Sequence, residues 1–199
     1  APHEQRQHDE PHADDDDRQR APHALLPSGR PDYPERGDVM ATRFAVDKML
    51  GRLANWLRII GQDATYGPHL SGRTLTRHAR SEGRTVLTRD HRLLREAAPP
   101  ALQLIESDHF RDQLRQVVES FQLDPFAQLF TRCIRCNQPV VPVHKAAVEH
   151  RVPPYVFASQ ERFVCCPHCR RIYWPATHDA RVRAELRAMG WEAPTGAAH

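Results

Sequence analysis

Three segments of one form constrain the fold of this chain more than any other feature. "FAVD", "VLTRD" and "QLIESD" each end a short apolar run with an aspartate, giving Asp47, Asp90 and Asp108. Stretches of helical periodicity separate them. After "RFAV", residues from Met49 and Leu50 to Leu57 and Ile60 recur at helical spacing, and Gly61 stops that helix as its C′ residue. "DATY" reads as a second strand, and "SGRTLTRHARSEG" as a helix that Ser71 or Thr74 caps and Gly83 ends. "RTVLTRD" is a strand before a short helix, "HRLLREAA", that Pro99 and Pro100 break. "ALQLIESD" is the last strand of the series, and "FRDQLRQVVESFQL" the amphipathic helix after it. Short strands alternating with helices call for an α/β fold, a mainly parallel sheet with helices on both faces.

In such a sheet all C-terminal strand ends lie on one edge, where ligands bind. Asp47, Asp90 and Asp108 therefore converge there although they are distant in sequence. Three carboxylates forced together repel one another unless cations neutralise them. Hard oxygen ligands left partly open to water suit Mg²⁺ or Mn²⁺, which also hold phosphate oxygens and promote phosphodiester hydrolysis. Taken alone, Asp47 before Lys48 and Asp90 before His91 are better explained as helix caps, and Asp108 before His109 can cap in the same way. Only their shared edge favours a metal site. Asp63 precedes its strand and belongs to the opposite edge. Glu82 and Glu106 are weaker candidates for a fourth acid, and His78, His91 and His109 show no pairing pattern. Lys48, Arg52, Asn55 and Arg58 form a basic stripe on the first helix, and Arg52 or Arg89 is placed to contact backbone phosphates.

All five cysteines fall between 133 and 169. Cys133-x2-Cys136 and Cys166-x2-Cys169, separated by 29 residues, have the spacing of two zinc knuckles, and four thiolates complete a closed tetrahedral site. A closed site leaves no position for water, so a zinc ion here is structural. Cys165 is a spare, and His168 lies inside the second knuckle. A redox disulfide is the weaker reading, since redox C-x-x-C motifs follow a strand and open a helix. Between the knuckles "VVPV", "YVFA" and "RFV" read as short strands. Arg132, Arg135, Arg162, Arg170 and Arg171, with Tyr173 and Trp174, mix charge with stacking surfaces. "ARVRAELRAMG" reads as a surface helix.

The first forty residues are rich in Pro, His, Asp and Arg, and are expected to be disordered because they bury too little to offset their ordering entropy. They carry five arginines against ten acidic residues, so the overall +3 divides into −5 on this tail and +8 on the remainder. A basic folded part points to a polyanionic partner, with nucleic acid the default, or to a soluble Arg-rich surface, and charge alone does not separate the two. No stretch is apolar for long enough to span a bilayer, and the N-terminus lacks the apolar core of a secretory signal, so a cytoplasmic location is expected.

Together, "FAVDKMLGRLANWLRIIGQDATY", "GRTVLTRDHRLL", "LIESD", "RCIRCN" and "CPHCRRIYW" followed by "TH" resemble the Mut-7 C-terminal RNase domain family, over roughly residues 43 to 185. The resemblance implies a PIN-like three-layer α/β/α domain joined to a zinc ribbon, and ribonuclease activity. It maps the acids to Asp47, Asp90 and Asp108 and the zinc ligands to Cys133, Cys136, Cys166 and Cys169. The chain departs from the family pattern in lacking an evident fourth acid, and in having Ala176-Thr177-His178 where Gly-Ser-His is usual. The expected organisation is a tail over 1–40, a PIN-like nuclease domain over 41–127, a zinc ribbon over 128–180 and a C-terminal helix and tail over 181–199. The expected function is endonucleolytic hydrolysis of RNA with Mg²⁺ or Mn²⁺. A protein of the same fold that binds RNA without cleaving it is the alternative. A phosphoacceptor domain fits less well, since a pair of acids beside one strand end and a partner lysine are missing.

Overall fold

Residues 42–95, 100–175 and 177–193 are described by the computed structural model of the chain. The expected disorder of residues 1–40, the Pro99 helix break and Ala176 lie outside these residues.

The first four strands are β1 (Phe44–Val46), β2 (Ala64–Tyr66), β3 (Thr85–Thr88) and β4 (Leu102–Leu104). They form one sheet in the order β2-β1-β3-β4, and every pair is parallel. Strand alternation sorts the side chains onto two faces. Phe44, Val46 and Leu87 pack against α1 (Gly51–Ile59) and α3 (Phe110–Ser120), meeting Leu53, Leu57, Leu114 and Val117. Ala45 and Val86 point the other way, onto Leu75 and Ala79 of α2 (Gly72–Glu82) and Leu93 of the 3-10 turn His91–Arg95. Both faces are covered, so the central strand β1 is apolar throughout and the domain has three layers. Each fully buried Leu, Val or Phe contributes about 1.5–3 kcal/mol.

The helix boundaries follow local chemistry. Ser71 and Thr74 form a reciprocal capping box at the start of α2, and Gly83 ends it in the left-handed conformation at φ +61°. The helix expected from Lys48 begins as a 3-10 turn, Lys48–Leu50, and becomes α-helical only at Gly51. Gly61 stops it at φ +84°, and a Cβ there would stand 2.2 Å from the Gln128 carbonyl oxygen. That close approach belongs to the segment leading into the second lobe, where the Phe130 N–H donates to the Ile59 carbonyl at 2.8 Å.

The second lobe is a three-stranded antiparallel sheet of β5 (Val141–Val143), β6 (Phe163–Cys165) and β7 (Ile172–Tyr173). "YVFA", read as a strand from its β-branched and aromatic content, is instead helical in α4 (Pro154–Ser159). Pro at the first helical position pre-sets φ, and the Pro153 carbonyl accepts from the Val156 and Phe157 N–H groups. Val156 turns into one cluster with Val148, Val152, Phe163 and Ile172, so burial of one face of this short helix outweighed the strand propensity.

Two further expectations change. Arg58, assigned to an exposed basic stripe, is only 4% exposed. It donates through Nε to the Ala64 carbonyl at 2.9 Å and through its terminal NH1 to the Ile134 carbonyl at 2.6 Å. A guanidinium at the end of α1 thus reaches the first cysteine knuckle. The expected surface helix, α5 (Thr177–Ala188), returns to the first lobe, where Leu186 is fully buried and Met189 nearly so against the α1/α3 side. Its Glu185 also pairs with Arg111 at 2.6 Å.

The two lobes are further joined at the start of β2. Asn137 Oδ1 accepts from the Ala64 N–H at 3.0 Å, and its Nδ2 donates to Asp63 at 2.7 Å. Asp63 also takes Arg84 at 2.5 Å and lies 3.7 Å from Arg132. Partial burial raises the Asp63 pKa, but the Arg84 hydrogen bond, with Asn137 and the arginine charges, outweighs it and leaves the carboxyl below its ordinary value. A depressed carboxyl stabilises the fold above its unfolded pKa and loses that contribution as pH falls through the folded value. Asp63→Asn is therefore expected to cost about 1–3 kcal/mol at neutral pH. In urea titrations the gap from wild type should narrow on acidification below about pH 4.

Candidate active edge and metal centre

Parallel pairing of β1 with β3 sets Ala45 opposite Val86 and Val46 opposite Leu87. The next pair on the α2 face is Asp47 and Thr88, immediately past the C-terminal ends. Both are buried, at 2% and 0% exposure. The Thr88 hydroxyl donates to Asp47 Oδ2 at 2.6 Å, and the Met49 N–H donates to Oδ1 at 3.3 Å. Asp47 is thus a helix cap, as its position before Lys48 allows, and each carboxylate oxygen keeps acceptor capacity beyond its one internal hydrogen bond.

Thr88 also accepts from the Asp90 N–H at 3.0 Å, so one hydroxyl links the positions of two of the three acids. Asp90 caps the following turn by accepting from the Arg92 N–H at 3.0 Å, and Arg92 grips both carboxylate oxygens, with Nε 2.8 Å from Oδ1 and NH2 2.8 Å from Oδ2. The Arg92 side-chain hydrogen bonds, then its backbone N–H, hold the Asp90 pKa below the ordinary value. Asp108 lies past β4, largely exposed and ion-paired to Arg89. All three aspartates stand at the C-terminal edge. Among the described residues, however, they do not form a group whose ligand atoms lie within metal-sharing distance of one another. Their oxygens face Thr88, Arg92 and Arg89.

Arg89 is therefore half-buried beside Asp108. Arg52 is exposed, its guanidinium 3.7 Å from the centroid of the Phe110 ring. Glu106 is exposed, and its N–H donates to Gln116. Glu82 sits at the end of α2, paired with Arg84. Among the His residues, His78 accepts from or donates to Thr65 at 3.1 Å and lies 3.5 Å from Glu82.

Sequence reasoning missed Thr88 and Arg92. Both lie in or beside "VLTRDHR", but Thr88 gains its role from the β1–β3 register, which no local pattern reveals. The spacing of Arg92 two residues after Asp90 was the available signal for the capping pair.

The second constellation is closed. Ligand atoms of Cys133, Cys136, Cys166 and Cys169 all lie within 4.8 Å of one another, and Cys133 Sγ is 3.7 Å from Cys169 Sγ. Tetrahedral thiolates about 2.3 Å from a zinc ion stand roughly 3.8 Å apart, so the four cysteines are positioned to bind a metal such as zinc. Asn137, at φ +63°, turns the chain after the first knuckle, and Arg170, at φ +61°, after the second. Cys165 is buried but outside the group. Tyr173, read as a possible nucleic-acid platform, instead directs its hydroxyl to Cys133 Sγ at 3.0 Å, and Trp174 packs toward Phe163.

Without a cation the Cys133, Cys136 and Cys166 thiols do not ionise together. Hydrogen bonding from the Cys166 thiol, aided by Tyr173, the Cys136 N–H and Cys169 against the opposing effect of burial, draws Cys133 down to about 4. Burial, with Cys169 and the Cys133 charge, pushes Cys136 up to about 12. Cys166 is also raised, first by its hydrogen bond to Cys133 and then by burial. A dication is what ionises the rest. Zinc addition to stripped protein at pH 7 should accordingly release protons, measured calorimetrically in two buffers of different ionisation enthalpy. Cys136→Ser should weaken metal retention and lower the thermal midpoint.

A family model described as Mut7-C RNAse domain matches residues 42–186, which includes both constellations. No curated protein and no solved structure matches the chain. Among the described residues no helix is long and apolar enough to cross a membrane.

Proposed function

Because this chain belongs to the Mut7-C RNAse domain family, we propose that it is a metal-dependent endoribonuclease, with Asp47, Asp90 and Asp108 holding Mg²⁺ or Mn²⁺ and the four cysteines holding a structural zinc. The observation that supports this most is the buried Thr88 hydroxyl, which orients Asp47 and the Asp90 backbone at the edge that also bears Asp108. The donor set is carboxylate and hydroxyl oxygen, the chemistry that hard divalent cations take. When bound, Mg²⁺ or Mn²⁺ supplies Lewis acidity that neutralises phosphoryl oxygens and lowers the pKa of water.

The side chains divide the remaining work. Asp47 is the fixed ligand, because its cap bond and Thr88 lock its rotamer. Asp90 and Asp108 would complete the ligand set, and Arg92 and Arg89, which pair with them, would then be available to contact the RNA backbone. Arg52, over the Phe110 ring, contributes a further phosphate contact.

Pairing of Asp90 and Asp108 with arginines, and not with each other, is the observation that favours a second reading, an RNA-binding module that cleaves nothing. Its signature is RNA binding without product in the presence of Mn²⁺.

Incubation of purified protein with Mn²⁺ and labelled RNA is expected to give internal cleavage products, and Asp47→Asn to slow product formation at least about 100-fold. The nuclease reading is lost if wild type yields no product and Asp47→Asn alters neither Mn²⁺ nor RNA binding. Thr88→Val, nearly isosteric, should slow cleavage about 10- to 100-fold while leaving the RNA dissociation constant unchanged, separating orientation of Asp47 from substrate affinity.

A further inference from the structure

Beside the acids, the C-terminal edge carries a groove of about 530 Å³ between the Lys48–Leu50 turn and the start of α3, within the size range of a small-ligand site. Its charged groups are unequal. Asp108 is occupied by Arg89, and Asp112 by the Ser107 hydroxyl at 3.1 Å and Arg115 at 3.4 Å. Arg111 commits its Nε to Glu185. Arg52 has no carboxylate partner among the described residues. Its guanidinium is held by the Phe110 ring, which is stacked in turn on Trp56 with centroids 5.7 Å apart and planes 21° from parallel. The ring covers one side of the guanidinium, whose N–H groups donate no hydrogen bond among the described residues. A planar fork so ordered binds phosphate with little further loss of side-chain entropy.

Met49 lines the same groove and is 64% exposed, although its neighbours in the helical pattern, Leu50 and Leu53, are buried. An exposed thioether side chain is a polarizable surface that accepts the face of an aromatic ring. Arg52 and Met49 therefore present a cation and an apolar surface in one concavity, and a nucleotide is the ligand that offers the matching pair, an anionic phosphate and a flat base.

We infer that this groove holds one unpaired nucleotide of the substrate, its phosphate on Arg52 and its base against Met49, so that the protein acts on single-stranded and not duplex RNA. The inference rests on the proposed endoribonuclease reading for the identity of the polymer. A duplex keeps its bases in the stack and presents sugar and phosphate, so it reaches Arg52 without filling the groove.

Fluorescence anisotropy of the full chain, with no Mg²⁺ or Mn²⁺ added, compares a labelled oligouridylate with a blunt RNA duplex of equal length. The single strand is expected to bind about tenfold more tightly. Arg52→Gln should weaken its binding about tenfold and Met49→Ala about threefold, with smaller effects on the duplex. Both side chains are exposed, and unchanged thermal midpoints confirm that the variants fold. Equal affinity for strand and duplex, or single-strand binding by both variants at the wild-type level, overturns the inference. If strand binding depends on the groove but no RNA is cleaved with Mn²⁺, the nuclease reading fails and the groove stands. If cleavage depends on Asp47 while the groove variants bind and cut as wild type does, the groove fails and the nuclease reading stands.

Discussion

Parallel pairing between β1 and β3 is the constraint on which the rest of the edge depends. Strands of three and four residues supply few hydrogen bonds, so the register is set by burial on both faces: a slip of one residue moves Phe44 and Val46 from the α1/α3 side to the α2 side. The same register continues past the last paired residues and carries Asp47 next to Thr88. Packing of apolar side chains thus fixes a polar geometry, and the buried Asp47 carboxylate meets the Thr88 hydroxyl because the sheet register brings the two together.

The two ends of the sheet have different duties. At the C-terminal edge, oxygens and arginines remain accessible. At the other edge the strand starts are covered by the cysteine-bearing lobe, through Asp63, Asn137 and the buried Arg58. These contacts run from backbone beside Cys133 and Cys136 directly into β2, so the order of the knuckle is transmitted to the edge strand. The metal-binding cluster is therefore tied to the stability of the α/β lobe while lying at the end away from the acids. The C-terminal helix adds a second tie, since Leu186 and Met189 complete the core on the α1/α3 side.

Much of this was legible in the sequence because it rests on local periodicity and spacing. Strand-then-acid repeats located Asp47, Asp90 and Asp108 at strand ends, Gly61 and Gly83 stopped their helices, and the two C-x2-C pairs marked the four clustered cysteines. What was not legible depends on long-range partners. Arg58 carries the same local signal as Arg52 on one helix, but a carbonyl 76 residues away determines that it is buried. Tyr173 and Trp174 look like stacking surfaces until the folding of β7 turns them inward. "YVFA" was misread because strand propensity was weighed over the helix-start signal of the prolines at 153 and 154.

The arginines explain how three acids are tolerated at one sheet edge. Asp90 and Asp108 would repel each other and Asp47 if brought together bare, and each is instead neutralised by a guanidinium from its own motif, Arg92 or Arg89. Both pairs lie toward solvent and are individually weak, so separating them costs little compared with the attraction of a divalent cation for carboxylate. On the proposed reading the same guanidiniums then become available to the RNA backbone. Recruitment of the cation and recruitment of the phosphate are in that case one exchange of partners, with Asp47, locked by Thr88, as the member that does not move.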